Sequence, residues 1–181
     1  MTETPLERLQ SAIQAELERD PKGPRVAGLL RDYAAAQQCW RPFALFDPAT
    51  YARNLVHKSD EYEMMVVCWQ ASQESPIHNH AGQHCWMAVL EGEIEEIHYT
   101  MPSEGQSTPL VETRTSVFSC GDVAYINDDI ALHKVRPVEG QAGVTLHLYS
   151  KPIQICNVYD PETCTVGQRE LAFHSIAGAV T

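Results

Sequence analysis

The chain has 181 residues, a length that fits one domain, and its 44% hydrophobic and 20% charged residues exclude a disordered or fibrous chain. Lys plus Arg number 13 and Asp plus Glu 24, a formal net charge of −11 without any basic cluster, so no nucleic-acid partner is expected. The longest purely apolar stretch runs only from Met64 to Trp69, far short of the roughly 20 residues a spanning helix needs, so no membrane segment is expected either.

The first forty or so residues read as helical. Thr4-Pro5-Leu6-Glu7 has the form of an N-cap, a first-turn proline and a capping-box glutamate. Leu6, Leu9, Ile13 and Leu17 then recur at helical spacing, until Pro21, Gly23 and Pro24 break the pattern. A second helix is predicted from about Arg25, with Val26, Leu29, Leu30 and Tyr33 on one face. From about residue 51 short apolar or alternating runs take over, at 62–69, 84–90, 93–100, 108–119, 122–126, 131–136 and 143–149. Turn residues separate them, among them Pro76, Gly82, Gly92, Pro102, Gly105, Gly121, Pro137 and Gly140. That texture predicts a mainly β antiparallel sandwich or barrel, with the helices packed on it. The expected organisation is one domain over 1–181, with helices in 1–45 and the β-body in 46–181.

The six cysteines, Cys39, Cys68, Cys85, Cys120, Cys156 and Cys164, form no C-x-x-C pair, and the first ten residues lack a signal-peptide pattern. Reduced thiols and a cytoplasmic location are the expectation. Cys68 and Cys120 fall in strand-like runs and are expected in the core, as is the Met64-Met65 pair. His57, His84, His98 and His174 are read as structural.

The remaining histidines carry chemistry. His78 and His80 flank Asn79, and in an extended segment residues i and i+2 point the same way, so both imidazoles can reach one metal. The pair alone reads more readily as two exposed polar loop residues. Context adds to it: His80 is followed by Cys85 and Gly92, and His133 follows the Asn127-Asp128-Asp129 turn with Gly121 ahead of it. This order resembles the two cupin motifs, with Cys85 where a glutamate ligand usually stands and without the second motif's usual proline and glycine. Imidazole suits several transition metals, so the ligands alone do not select one.

Longer matches follow in order. They are Tyr51-Ala52-Arg53-Asn54-Leu55-Val56, Cys68-Trp69, Ile77-His78-Asn79-His80, His84-Cys85, Leu90-Glu91-Gly92, Ala124-Tyr125-Ile126-Asn127-Asp128 and Leu146-His147-Leu148-Tyr149-Ser150. Together they closely resemble cysteine dioxygenase, from roughly residue 40 to Phe173-His174-Ser175. The resemblance implies a cupin-type antiparallel, jelly-roll-like β-barrel. It implies one Fe(II) per chain on His78, His80 and His133, and oxidation of L-cysteine by O2 to cysteine sulfinic acid. Arg53 would pair with the substrate carboxylate, as a planar guanidinium is suited to do, with Tyr51 assisting. Thr145, His147 and Tyr149 alternate along one strand and share a face, which fits a hydrogen-bond relay ending at the tyrosine hydroxyl near iron. Some family members join the residues matching Cys85 and Tyr149 by a thioether, and this chain retains both. Cys156 matches a cysteine near the pocket entrance. The family precedent is a monomer.

Two other readings compete. A related dioxygenase acts on 3-mercaptopropionate but typically carries glutamine in place of Arg53. A cupin that binds metal without redox chemistry usually keeps the glutamate that Cys85 replaces.

Overall fold

The computed structural model describes residues 3–100 and 109–181; Pro102 and Gly105 lie outside them. Helix α1 (Pro5–Arg19) begins as its sequence dictates. The Glu7 amide donates to the Thr4 hydroxyl at 3.2 Å, and the Thr4 amide donates to the Glu7 carboxylate at 2.6 Å. Such a reciprocal cap satisfies two of the amides that a helix start leaves free. Helix α2 (Val26–Ala36) buries Val26, Leu30 and Tyr33.

The strands are β1 (Ala52–Lys58), β2 (Glu63–Trp69), β3 (Ile77–His78), β4 (Cys85–Glu91), β5 (Glu93–Tyr99), β6 (Glu112–Ser119) and β7 (Val123–Ile126), then β8 (Leu132–Pro137), β9 (Gly143–Tyr149), β10 (Ile155–Asp160), β11 (Thr165–Glu170), β12 (Ser175–Ile176) and β13 (Ala179–Val180). Among the described residues they form two sheets, ordered β13-β12-β1-β2-β9-β4-β7 and β11-β10-β3-β8-β5-β6. Pairing is antiparallel except between β1 and β12, which run parallel.

Strands β2 and β9 are buried at every position. The reason is the cover on both faces. Met64, Val66 and Cys68 of β2, Trp86, Ala88 and Leu90 of β4, and Val144, Leu146 and Leu148 of β9 pack with Leu6, Ile13, Val26 and Leu30 of the helices. Each fully buried aliphatic side chain here is worth about 1.5–3 kcal/mol. Residues of opposite parity face the second sheet: Met65, Val67 and Trp69, Cys85, Met87 and Val89, and Tyr149. The face of β9 bearing Thr145, His147 and Tyr149 therefore points into the interior between the sheets. Gly92 closes the tight β4–β5 turn with φ +78°, and a Cβ there would lie 2.5 Å from the Ala142 carbonyl oxygen.

Two expectations need correction. Cys120 is exposed, because it sits in the turn after β6, where its thiol donates to the Leu90 carbonyl at 3.2 Å. The C-terminal strands β10 to β13, together with β1 and the two-residue β3, were not among the predicted runs. The β11 sequence is exposed throughout, so it carries no burial alternation to read.

Candidate metal centre and its cavity

His78 ends β3 and lies directly opposite His133 on β8. Beyond β3, the Asn79 amide donates to the Asn157 carbonyl and the Asn79 side chain accepts from the Asn157 amide, fixing this segment to β10. His80 follows, its amide held by Asp128 Oδ1 at 2.7 Å, while Asp128 Oδ2 takes the Gly82 amide at 2.7 Å. The three histidines thus come from two loop-edge segments locked to the same sheet. Their nearest ring nitrogens lie within 4.8 Å of one another, and they form a three-histidine metal-binding cluster.

The Nδ1 partners fix the tautomers. His78 Nδ1 lies 2.9 Å from the Pro76 carbonyl, and His133 Nδ1 lies 2.7 Å from Glu96 Oε1. Both partners only accept, so each Nδ1 carries the proton. His80 Nδ1 lies 3.6 Å from Asp128 Oδ1. Burial, reinforced by the neighbouring imidazoles, holds His78 well below the usual histidine range. Burial likewise lowers His80 to about 4, against the opposing pull of Asp128. Neutral imidazole is the form that ligates a metal. His78 Nε2 and His133 Nε2 then face each other at 3.2 Å, and His80 Nε2 is buried without a hydrogen-bond partner. Converging bare lone pairs repel unless a cation lies between them, so this donor set fits a transition metal.

Glu96 was not singled out from the sequence. Burial works to raise its pKa, but hydrogen bonds from His133 and His98 outweigh burial and bring it to about 2. The signal was parity: Glu96 shares a face with Ile94, which is fully buried. Asp128 and Trp69 were likewise given no role.

The cluster opens into a cavity of about 40 Å³. Arg53, Tyr51, His147 and Tyr149 also line it. Arg53 projects from β1, 8% exposed, with Nη1 donating to the Ala172 carbonyl at 3.2 Å. Tyr51 stacks on Trp69 with ring centroids 4.8 Å apart. Burial raises the Tyr51 pKa, although Arg169 and Arg53 pull it down.

Thr145 and Cys85 stand one step behind the cavity wall. Trp69 Nε1 donates to Thr145 Oγ1 at 2.9 Å, and His147 Nε2 lies 3.0 Å from the same oxygen. The relay stops there: His147 Nδ1 is buried without a partner, so no hydrogen bond joins His147 to Tyr149. Burial lowers the His147 pKa to about 3. Cys85 on β4 lies directly opposite Tyr149 on β9. Burial pushes both the thiol and the phenol well above their ordinary ranges, so both stay protonated.

Comparison with known proteins assigns this site to a lineage. A family model described as cysteine dioxygenase type I matches residues 8–162. The chain belongs to the cysteine dioxygenase type I family. Cysteine dioxygenase type 1 from Danio rerio is 34% identical over 158 residues, covering 86% of this chain and 79% of the relative. The Homo sapiens protein of the same name is 32% identical over 158 residues, covering 86% and 78%. Two solved structures share the fold. A Thermus thermophilus protein, TT1209, superposes with a TM-score of 0.51 at 17% identity, covering 64% of this chain and 96% of its own. An uncharacterized conserved protein with a double-stranded beta-helix domain from Klebsiella pneumoniae gives 0.50 at 14% identity, covering 75% and 97%. The two-sheet body is thus a cupin, a double-stranded β-helix, with two N-terminal helices. The family match begins within α1, so the family likeness takes in the helices as well as the stretch from roughly residue 40.

Proposed function

We propose that this member of the cysteine dioxygenase family oxidises L-cysteine with O2 to cysteine sulfinic acid, using one Fe(II) held by His78, His80 and His133. The observation that carries this reading is that the three-histidine cluster and the buried Arg53 guanidinium open into one small cavity. A substrate with a carboxylate at one end and a thiol at the other spans those two features. Both oxygen atoms end on sulfur, and the thiol supplies the electrons, so no outside reductant is needed.

Arg53 takes the carboxylate through N–H groups that Ala172 leaves free, with the Tyr51 hydroxyl beside it. Bound iron would supply the one-electron chemistry toward O2 that a thiolate alone lacks. Tyr149 stays a neutral phenol at the cavity wall, ready to donate a hydrogen bond to the reacting sulfur or oxygen. Trp69 and Thr145 orient the His147 ring. Cys85 opposite Tyr149 is placed for a thioether: the S–H and one ring C–H are lost, a C–S bond forms, and two electrons and two protons pass to O2. The link would fix the phenol in place. The six cysteines are all free thiols, as the cytoplasm would keep them. The acidic surface concerns solubility, since cysteine is a zwitterion and the pocket itself presents Arg53.

The test is anaerobic Fe(II) loading followed by O2 uptake with L-cysteine and 3-mercaptopropionate side by side, with products identified by mass. Cysteine consumed one-to-one with O2 and converted to sulfinate supports the reading. Preference for 3-mercaptopropionate would move the assignment to the related dioxygenase. No uptake with either thiol, despite bound iron, would leave a metal-binding cupin without this chemistry.

A further inference from the structure

Behind Arg53 lies a carboxylate that the proposed reaction does not use. Glu63 opens β2 and is 0% exposed. Its Oε1 lies 3.4 Å from Arg53 Nη2, and its Oε2 lies 3.3 Å from Lys58 Nζ. It does not line the cavity; Arg53 does. A buried carboxylate is costly, and here burial raises the pKa while Arg53 and Lys58 pull it down.

What Glu63 does for Arg53 follows from the other contacts. The guanidinium is held by the Ala172 carbonyl at 3.2 Å and lies over the Phe173 ring, 5.1 Å from its centroid. Those contacts orient it without Glu63. The 3.4 Å approach of Glu63 is at the outer limit of a hydrogen bond, so its main contribution is charge. A cation already facing an anion gains less from a second one, because the two anions repel through it.

We propose that Glu63 is a built-in competitor for Arg53, a fixed counter-carboxylate that weakens the grip on the substrate carboxylate and so sets substrate affinity. It touches no substrate and acts through Arg53. The inference rests on the reading of Arg53 as the substrate-carboxylate group.

The test is Glu63→Gln, which keeps shape and removes charge. The Fe(II)-loaded protein is titrated anaerobically with L-cysteine and with cysteamine, which has the same thiol and amine but no carboxylate. Expected is about tenfold tighter binding of L-cysteine with cysteamine unchanged. Unchanged or weaker cysteine binding, or an equal shift for cysteamine, overturns the proposal. Lys58→Met is the second variant, since that side chain is 37% exposed and its loss leaves Glu63 to face Arg53 alone. L-cysteine should then bind about threefold more weakly and cysteamine as before; no change also overturns the proposal. Wild-type protein that binds both thiols equally would remove Arg53 as the carboxylate group, the reading on which this inference rests. A wild-type preference for cysteine that survives unaltered in Glu63→Gln removes only the role of Glu63.

Discussion

Removing the Glu96 side chain should cost metal affinity while sparing the fold. Its Oε1 accepts from His133 Nδ1 at 2.7 Å, and its Oε2 lies 3.2 Å from His98 Nε2. In Glu96→Ala nothing holds the proton on His133 Nδ1, so the metal-free ring can carry it on Nε2, and metal binding must return it to a buried Nδ1 without an acceptor, at a cost of about 1–3 kcal/mol. At about 1.4 kcal/mol per decade that is roughly a 5- to 150-fold loss, and partners behind metal-bound histidines commonly contribute 10–100-fold. Glu96→Gln keeps an oxygen at the same place but loses the charge. Charge-assisted hydrogen bonds are about twice as strong as neutral ones, so about half the free energy should survive. The expected order of affinity is wild type, then Gln, then Ala. The assay is anaerobic competition for Fe(II) against a chromogenic chelator, with thermal midpoints of the metal-free proteins to separate affinity from folding. Wild-type affinity in Glu96→Ala would refute the reasoning, because His133 would then need no acceptor to present Nε2. So would an equal loss in both variants.

Replacing His78, His80 or His133 by alanine should abolish stoichiometric iron binding with little change in far-UV circular dichroism; full iron content in any of them would remove that residue from the ligand set. Arg53→Ala should raise the KM for L-cysteine by more than about tenfold, as loss of a charged hydrogen-bonding partner of about 1.5–3 kcal/mol implies, and unchanged saturation behaviour would exclude it from substrate binding. Cys85→Ala should keep reduced activity and yield a single band on a denaturing gel. A doublet that persists in that variant would place its origin outside the Cys85–Tyr149 pair.

The sequence made the metal ligands legible because two of them sit at i and i+2, a spacing with direct geometric meaning, and the third follows a turn. The shared face of Thr145, His147 and Tyr149 was legible for the same reason. The carboxylates were not. Glu96 lies in the run Glu93-Ile94-Glu95-Glu96, which looks like a solvated strand face. Glu63 precedes an apolar run and looks like its polar boundary. Parity held the clue: Glu63 shares a face with Met65, Val67 and Trp69, all buried. The break in the relay at His147 was not readable at all, since alternation fixes which face a side chain takes but not where its ring nitrogens come to rest. The C-terminal strands escaped notice because β11 is polar and exposed, and β12 and β13 span only two residues each.

The parallel pairing of β1 with β12 divides the site between distant stretches of chain. The His174 amide donates to the Arg53 carbonyl, the Ser175 hydroxyl donates to Asn54 Oδ1 at 2.7 Å, and Arg53 Nη1 reaches the Ala172 carbonyl. The histidines draw on none of these residues; they hang on β3, β8 and the Asp128 turn. If Arg53 recognises the substrate carboxylate as proposed, the metal cluster and that recognition are separable by where the chain is cut. Clipping the protein after Glu170 should leave a species that still takes up metal yet no longer tells a carboxylate-bearing thiol from one without, a form that proteolysis in a preparation would generate unnoticed by any assay of iron content alone.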